Sequence, residues 1–223
     1  MLFTDYQKAF SIPRLDAYLY AASRNQVRAM DAYKTNLRMS QALLGALSIF
    51  EVTLRNEIDA HYKNQFGNSW LQTQASTTGF LSARGCETSL TTVQDVILKF
   101  NRIPFNHNEA ICLLGFGFWR YLFAVQQFRS AGNTLLQIFP NKPVGTNQSL
   151  IFDKLSDVNR IRNRIAHYEP ICFNYHRTQL SDRYAKHNFK IILEMLQWMS
   201  YDTNFLFSDI YDFDREAVHL LNI

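Results

Sequence analysis

Between Asn159 and His167, nine consecutive residues hold three arginines, two asparagines and one histidine. These side chains can handle a phosphodiester. A guanidinium grips phosphate oxygens through paired N–H donors and steadies charge building on them. An imidazole exchanges protons near neutral pH. Together they can supply RNA transesterification, in which a ribose 2′-hydroxyl attacks the neighbouring phosphorus. The neighbouring sequence offers no paired acidic cluster and no His/Cys spacing suited to zinc, so the chemistry implies neither metal nor cofactor.

Spacing decides which of these groups can work together. Leu155, Val158, Ile161 and Ile165 recur at three- and four-residue steps, the pattern of an amphipathic helix. At roughly 100° per residue, Arg160, Asn163, Arg164 and His167 fall on one face, opposite Val158 and Ile165. Arg162 lies roughly 140° from His167 on that wheel, at the margin of the apolar stripe. Either the backbone leaves the helix near His167, or a second copy of the chain contributes. Pro170 disfavours helix at Glu169 and ends the element soon after His167. A plainer alternative is a solvated basic face with a histidine near a C-cap.

The run Arg162-Asn163-Arg164-Ile165-Ala166-His167 resembles the signature of the HEPN superfamily, an arginine followed at short spacing by a histidine. Its continuation Tyr168-Glu169-Pro170 is similar to the Abi-like (abortive infection, AbiD/AbiF-type) proteins of that superfamily. Phe50-Glu51-Val52-Thr53-Leu54-Arg55-Asn56 resembles the family's upstream Glu-x-x-Leu-Arg-Asn helix. Leu114-Gly115-Phe116-Gly117-Phe118-Trp119 resembles its Phe-Gly-x-Trp segment, and Phe139-Pro140 its Phe-Pro step. The likeness covers the chain from about Pro13 to the last long helix, in the expected order. Tyr168 departs from it, standing where many relatives carry a second histidine.

The resemblance implies a HEPN-type helical bundle with additional N- and C-terminal helices. It also implies a metal-independent endoribonuclease in an abortive-infection, phage-defence or toxin–antitoxin role. Arg162, Asn163 and His167 map to the catalytic positions. His167 would act as general acid/base, Arg162 would hold the phosphate, and Asn163 would orient the backbone or the scissile phosphate. Arg160, Arg164 and Tyr168 would bind RNA phosphates, while Glu51, Arg55 and Asn56 would orient the site. The family implies a two-fold homodimer that brings two Arg/His sets to one cleft. RNA is the implied partner, together with an antitoxin or regulatory protein. The rival expectation is a non-catalytic HEPN-like module for docking partners.

Whole-chain properties agree with a helical protein. The 223 residues are 47% hydrophobic, with eight glycines and five prolines, a balance that favours long helices over a many-turned sheet. The length suits a single domain over 1–223 with an N-terminal helical appendage at about 1–36. The net charge of +4 permits an anionic partner without demanding one. Three widely spaced cysteines, Cys86, Cys112 and Cys172, read as reduced thiols in a cytoplasmic protein. The N-terminus lacks an export signal. The most hydrophobic run, Ile111 to Val125, is interrupted by Arg120 and too short to span a bilayer.

The elements that must carry the site follow from capping and periodicity. Ser11-Ile12-Pro13 starts a first helix, Ser23 a second with Val27, Met30 and Tyr33, and both pack outside the main bundle. A long helix runs from near Ser40 to Phe66, stopped by Gly67; its Glu51 and Arg55 are spaced to meet. Arg55 and His61 form a second loose Arg/His pair, ranked below Arg162/His167 because Glu57 and Asp59 oppose phosphate. Residues 68–85 read as a loop and a helix from Glu87 to Asn101 follows, leading to an exposed His107. The segment from Glu109 is a buried helix whose Gly115 and Gly117 signal a kink or a close backbone, with surplus aromatics at a subunit interface. Thr146 caps the motif helix. Phe173, Tyr175 and Arg177 follow Pro170, then a core helix from Ser181 to Tyr201 carrying Tyr184, and a last short helix from Ser208.

Overall fold

The computed structural model describes residues 3–176, 178–208 and 213–223. The fold is all-α. Twelve α-helices are described: α1 Phe3–Phe10, α2 Ile12–Ala21, α3 Gln26–Phe66, α4 Trp70–Gln74, α5 Glu87–Leu98, α6 His107–Leu113, α7 Phe116–Tyr121, α8 Val125–Ser130, α9 Gln148–Ala166, α10 Arg183–Trp198, α11 Thr203–Leu206 and α12 Phe213–Leu221. Short 3-10 turns occupy Phe80–Ser82 and Leu135–Ile138. Among the described residues the extended pairing is a single antiparallel bridge between Phe173 and Leu180.

The helices form two compact units. One comprises Met1–Ser48, Arg160–Leu193 and Asn204–Ile223. Leu15, Tyr18, Leu19 and Met30, from the segment expected as an appendage, are buried in it. The Tyr18 ring meets Tyr33 and Phe173 edge-on, with centroids 5.3 and 4.9 Å away. Arg38 bonds Glu216 at 2.7 Å, tying α3 to α12.

The other unit comprises Ile49–Asn159 and Glu194–Thr203. Phe50, Leu54, Ile58 and Tyr62 form the buried stripe of its share of α3. Trp70 lies 4.9 Å from the Tyr62 ring and donates its indole N–H to Asp59 Oδ1 at 2.7 Å. Residues 68–85 are therefore not an open loop. They fold into α4 and a 3-10 turn, with Trp70, Leu71 and Leu81 fully buried. His107 is held too, its Nε2 2.7 Å from Asp59 Oδ1. Burial pushes the Asp59 carboxyl up, but donors from His107, Lys63 and Trp70 outweigh it and hold the group at about 2.

Further expectations meet the structure as follows. The break expected between Tyr33 and Ser40 does not occur, and α3 runs unbroken for 41 residues. Ser40 lies inside α3, its hydroxyl donating back to the Asn36 carbonyl at 2.8 Å. The segment from Glu109 is not one helix but α6, α7 and α8. Extended backbone at Leu114 and Gly115 makes the first corner, where Trp119 Nε1 donates to the Leu114 carbonyl at 3.1 Å. Of the two expectations for the glycines, the kink is met at Gly115; a Cβ at Gly115 or Gly117 would meet nothing within 4 Å, so neither marks a close backbone. The aromatics there are core: Phe116, Phe118, Trp119 and Phe123 are buried, and Tyr121 is 40% exposed.

An 18-residue window of α3 reaches a mean hydropathy of 1.2, so this helix is long and apolar enough to cross a membrane by length and composition. A core helix passes the same test, and Met39, Leu43, Leu47 and Phe50 of α3 are buried within the protein.

Candidate functional site

Helix α9 carries the motif, and its register follows from the chain. Asn147, not Thr146, caps it, accepting from the Leu150 N–H at 3.0 Å. Ile151, Leu155, Val158, Ile161 and Ile165 are all buried, each stabilising by about 1.5–3 kcal/mol for full burial. That stripe turns Arg160, Asn163 and Arg164 away from the core. The apolar spacing fixes which side chains reach solvent.

The C-terminal end of α9 is closed by a Schellman motif. The Glu169 N–H bonds the Arg164 carbonyl at 2.8 Å, and the Tyr168 N–H bonds the Ile165 carbonyl at 3.0 Å. Tyr168 takes the left-handed position at φ 57°, where glycine is usual. His167 still donates its N–H to the Asn163 carbonyl at 2.9 Å, four residues back. The backbone thus leaves the helix one residue after His167, too late to swing that ring round toward Arg162. The roughly 140° between the two positions therefore persists within one chain.

Two contacts anchor this end within its unit. Arg14 donates to the Tyr168 carbonyl at 2.8 Å. The Ile171 N–H bonds Oδ1 of buried Asn36 at 2.9 Å. The segment beyond the motif is then pinned to α2 and α3. His167 and Tyr168 are exposed, Tyr168 by 74%.

Beside the motif lies a cleft of about 1340 Å³ within the same unit. Arg160, Asn163 and Arg164 form one wall, and Arg183 and Tyr184 of α10 another. The Phe173–Leu180 turn closes it, organised by Asn174, whose Oδ1 accepts from the Thr178 N–H at 2.9 Å. Arg164 donates to Glu169 Oε2 at 3.2 Å and lies 5.2 Å from the Tyr184 ring. Arg162, His167 and Tyr168 lie outside the cleft walls. The expected face divides: Arg160, Asn163 and Arg164 share the cavity, while His167 stands at the exposed helix end.

Glu51, Arg55 and Asn56 belong to the other unit. There Arg55 Nε donates to Asn56 Oδ1 at 3.3 Å, and its Nη1 lies 3.5 Å from Cys112 Sγ. His61, of the lower-ranked pair, is structural: its Nε2 is 2.9 Å from Thr134 Oγ1, and burial lowers its pKa.

Residue spacing does not reveal the far wall. Tyr184, expected in the core, is half-buried against Arg164. Arg183 opens α10 with its side chain exposed, two residues later than the expected helix start. The pairing of Phe173 with Leu180, both in the cleft lining, has no hydrophobic period to announce it. Arg177 lies outside the described residues, as do 209–212 next to the expected helix start at Ser208. Among the described residues no group of three or more His, Cys, Asp or Glu is placed to hold a metal ion. Comparison with family models, curated proteins and solved structures returns no match.

Proposed function

We propose that this chain is a metal-independent endoribonuclease of HEPN type, Abi-like in its motifs, acting in the cytoplasm in abortive infection or as a toxin with a cognate antitoxin. The observation that carries it is the placement of the motif: an exposed His167 at the anchored end of α9, beside a cleft walled by Arg160, Asn163 and Arg164. His167 takes the proton from a ribose 2′-hydroxyl or delivers one to the leaving 5′-oxygen. Arg162 stabilises the charge that builds on the phosphate oxygens. The 2′-oxygen bonds to phosphorus as the bond to the 5′-oxygen breaks, leaving a 2′,3′-cyclic phosphate.

Because Arg162 and His167 diverge on one helix, the working pair is assembled across a two-fold homodimer, Arg162 of one protomer serving His167 of its partner. The test is RNA degradation in EDTA with analysis of product ends. Wild type cleaves to cyclic phosphates, and His167→Ala or Arg162→Ala lowers the rate by about 100-fold or more while helicity is kept. Toxicity on expression, relieved by His167→Ala, supports the biological role.

A second reading, a non-catalytic partner-docking module, is favoured by the ion pair that ties Arg164 to Glu169. A clean preparation inert on varied RNAs decides for it.

A further inference from the structure

The cleft continues into a feature the motif does not use. On α10, Arg183, His187 and Lys190 recur at steps of four and three, and all three are exposed. They form one polar stripe, with the positive charges of Arg183 and Lys190 at its two ends, that begins at the cleft wall and runs about 10 Å along the helix axis. A stacked strand carries a phosphate about every 3.4 Å of axis, so the stripe is long enough for more than one. The two acids in the lining are each ion-paired: Asp182 Oδ2 lies 2.6 Å from Lys186 Nζ with its side chain only 8% exposed, and Glu169 Oε2 lies 3.2 Å from Arg164 Nε.

The cleft lining also carries an aromatic ring open to solvent. Tyr175 lines the cleft and is 95% exposed, so its ring is accessible to whatever the cleft holds. A basic groove that follows a backbone, combined with an exposed ring for stacking, is how proteins hold unpaired nucleic acid strands. A duplex offers no free base face to such a ring.

We infer that the cleft and the Arg183–His187–Lys190 stripe are a binding track for single-stranded RNA, with Tyr175 stacking on a base displaced from the strand. This rests on the nuclease reading for its substrate but adds residues and a strand requirement which that reading does not supply.

The experiment is fluorescence anisotropy with a labelled 12-nucleotide single-stranded RNA and the matching duplex, in EDTA. The His167→Ala protein is the background, so that cleavage cannot intrude. The single strand binds at least about tenfold tighter than the duplex. Arg183→Glu with Lys190→Glu weakens binding at least about tenfold and flattens the plot of log affinity against log salt by ~0.7 for each phosphate no longer neutralised. Tyr175→Ala costs at least about fivefold with the salt slope unchanged. All three residues are exposed, and circular dichroism checks that the variants fold.

Wild-type binding by these variants, or equal binding of the duplex, overturns the track. So does binding to phosphatidylglycerol vesicles without binding to RNA. If wild type cleaves RNA but the variants bind normally, the track falls and the nuclease stands. If wild type cleaves nothing yet the variants lose single-strand binding as stated, the nuclease falls and the track stands.

Discussion

Tyr168 adopts a backbone conformation its side chain disfavours. At φ 57° it fills the place of a C′ glycine, and with 74% of its surface exposed it recovers little from packing. Tyr168→Gly should stabilise the protein by about 1 kcal/mol, read as a higher urea midpoint at unchanged slope. Strained backbone clusters at functional sites. If Tyr168 binds an RNA phosphate as the family resemblance implies, the same variant gains stability and loses RNA affinity together. A variant that loses stability would remove the strain argument. The residues that orient the chain end are not legible in the sequence. Arg14 and Asn36 are an ordinary cation and an ordinary amide there, and their roles arise from partners 154 and 135 positions away.

Asp59 is where the elements of its unit meet. Its carboxylate joins α3 to α4 through Trp70 and to α6 through His107, with Lys63 one turn along α3. The folded pKa, about 2, lies below the ordinary aspartate value of 3.8. This interaction is therefore fully present above about pH 4 and is lost as pH falls toward 2. Urea midpoints of wild type should drop across that window, and Asp59→Asn should flatten the drop. Parallel curves would place the acid sensitivity elsewhere. Asp59→Ala strands the indole and imidazole donors and should cost about 3 kcal/mol at neutral pH. The periodicity of α3, α5, α9 and α10 is readable because each buries a stripe. At Leu114 only the kink is readable, from Gly115; that the segment divides into separate helices is not, because a chain aromatic on every side carries no period to interrupt.

For the whole molecule, the proposed dimer makes a demand that no single chain can meet. Arg162→Ala and His167→Ala proteins, each inactive alone, should regain activity when mixed and allowed to exchange subunits. Random pairing makes half the dimers mixed, each with one complete site, so about a quarter of wild-type activity returns. No recovery, with exchange verified by mass, means that the pair works within one chain or not at all. Light scattering of the wild type should give twice the chain mass.

The helical class, the register of α9 and the outward face of Arg160, Asn163 and Arg164 are readable from the order of residues, because local spacing alone sets which side of a helix is apolar. The cleft is not readable: its walls come from α9, α10 and a turn between them, and closing that turn depends on backbone pairing and an amide clamp that leave no periodic trace. His107 and Trp70 likewise look like loop residues until folding carries them to Asp59, where a buried carboxylate must find donors. Distance along the chain says little about such meetings, since hydrogen-bond partners are chosen by proximity after the apolar stripes have packed.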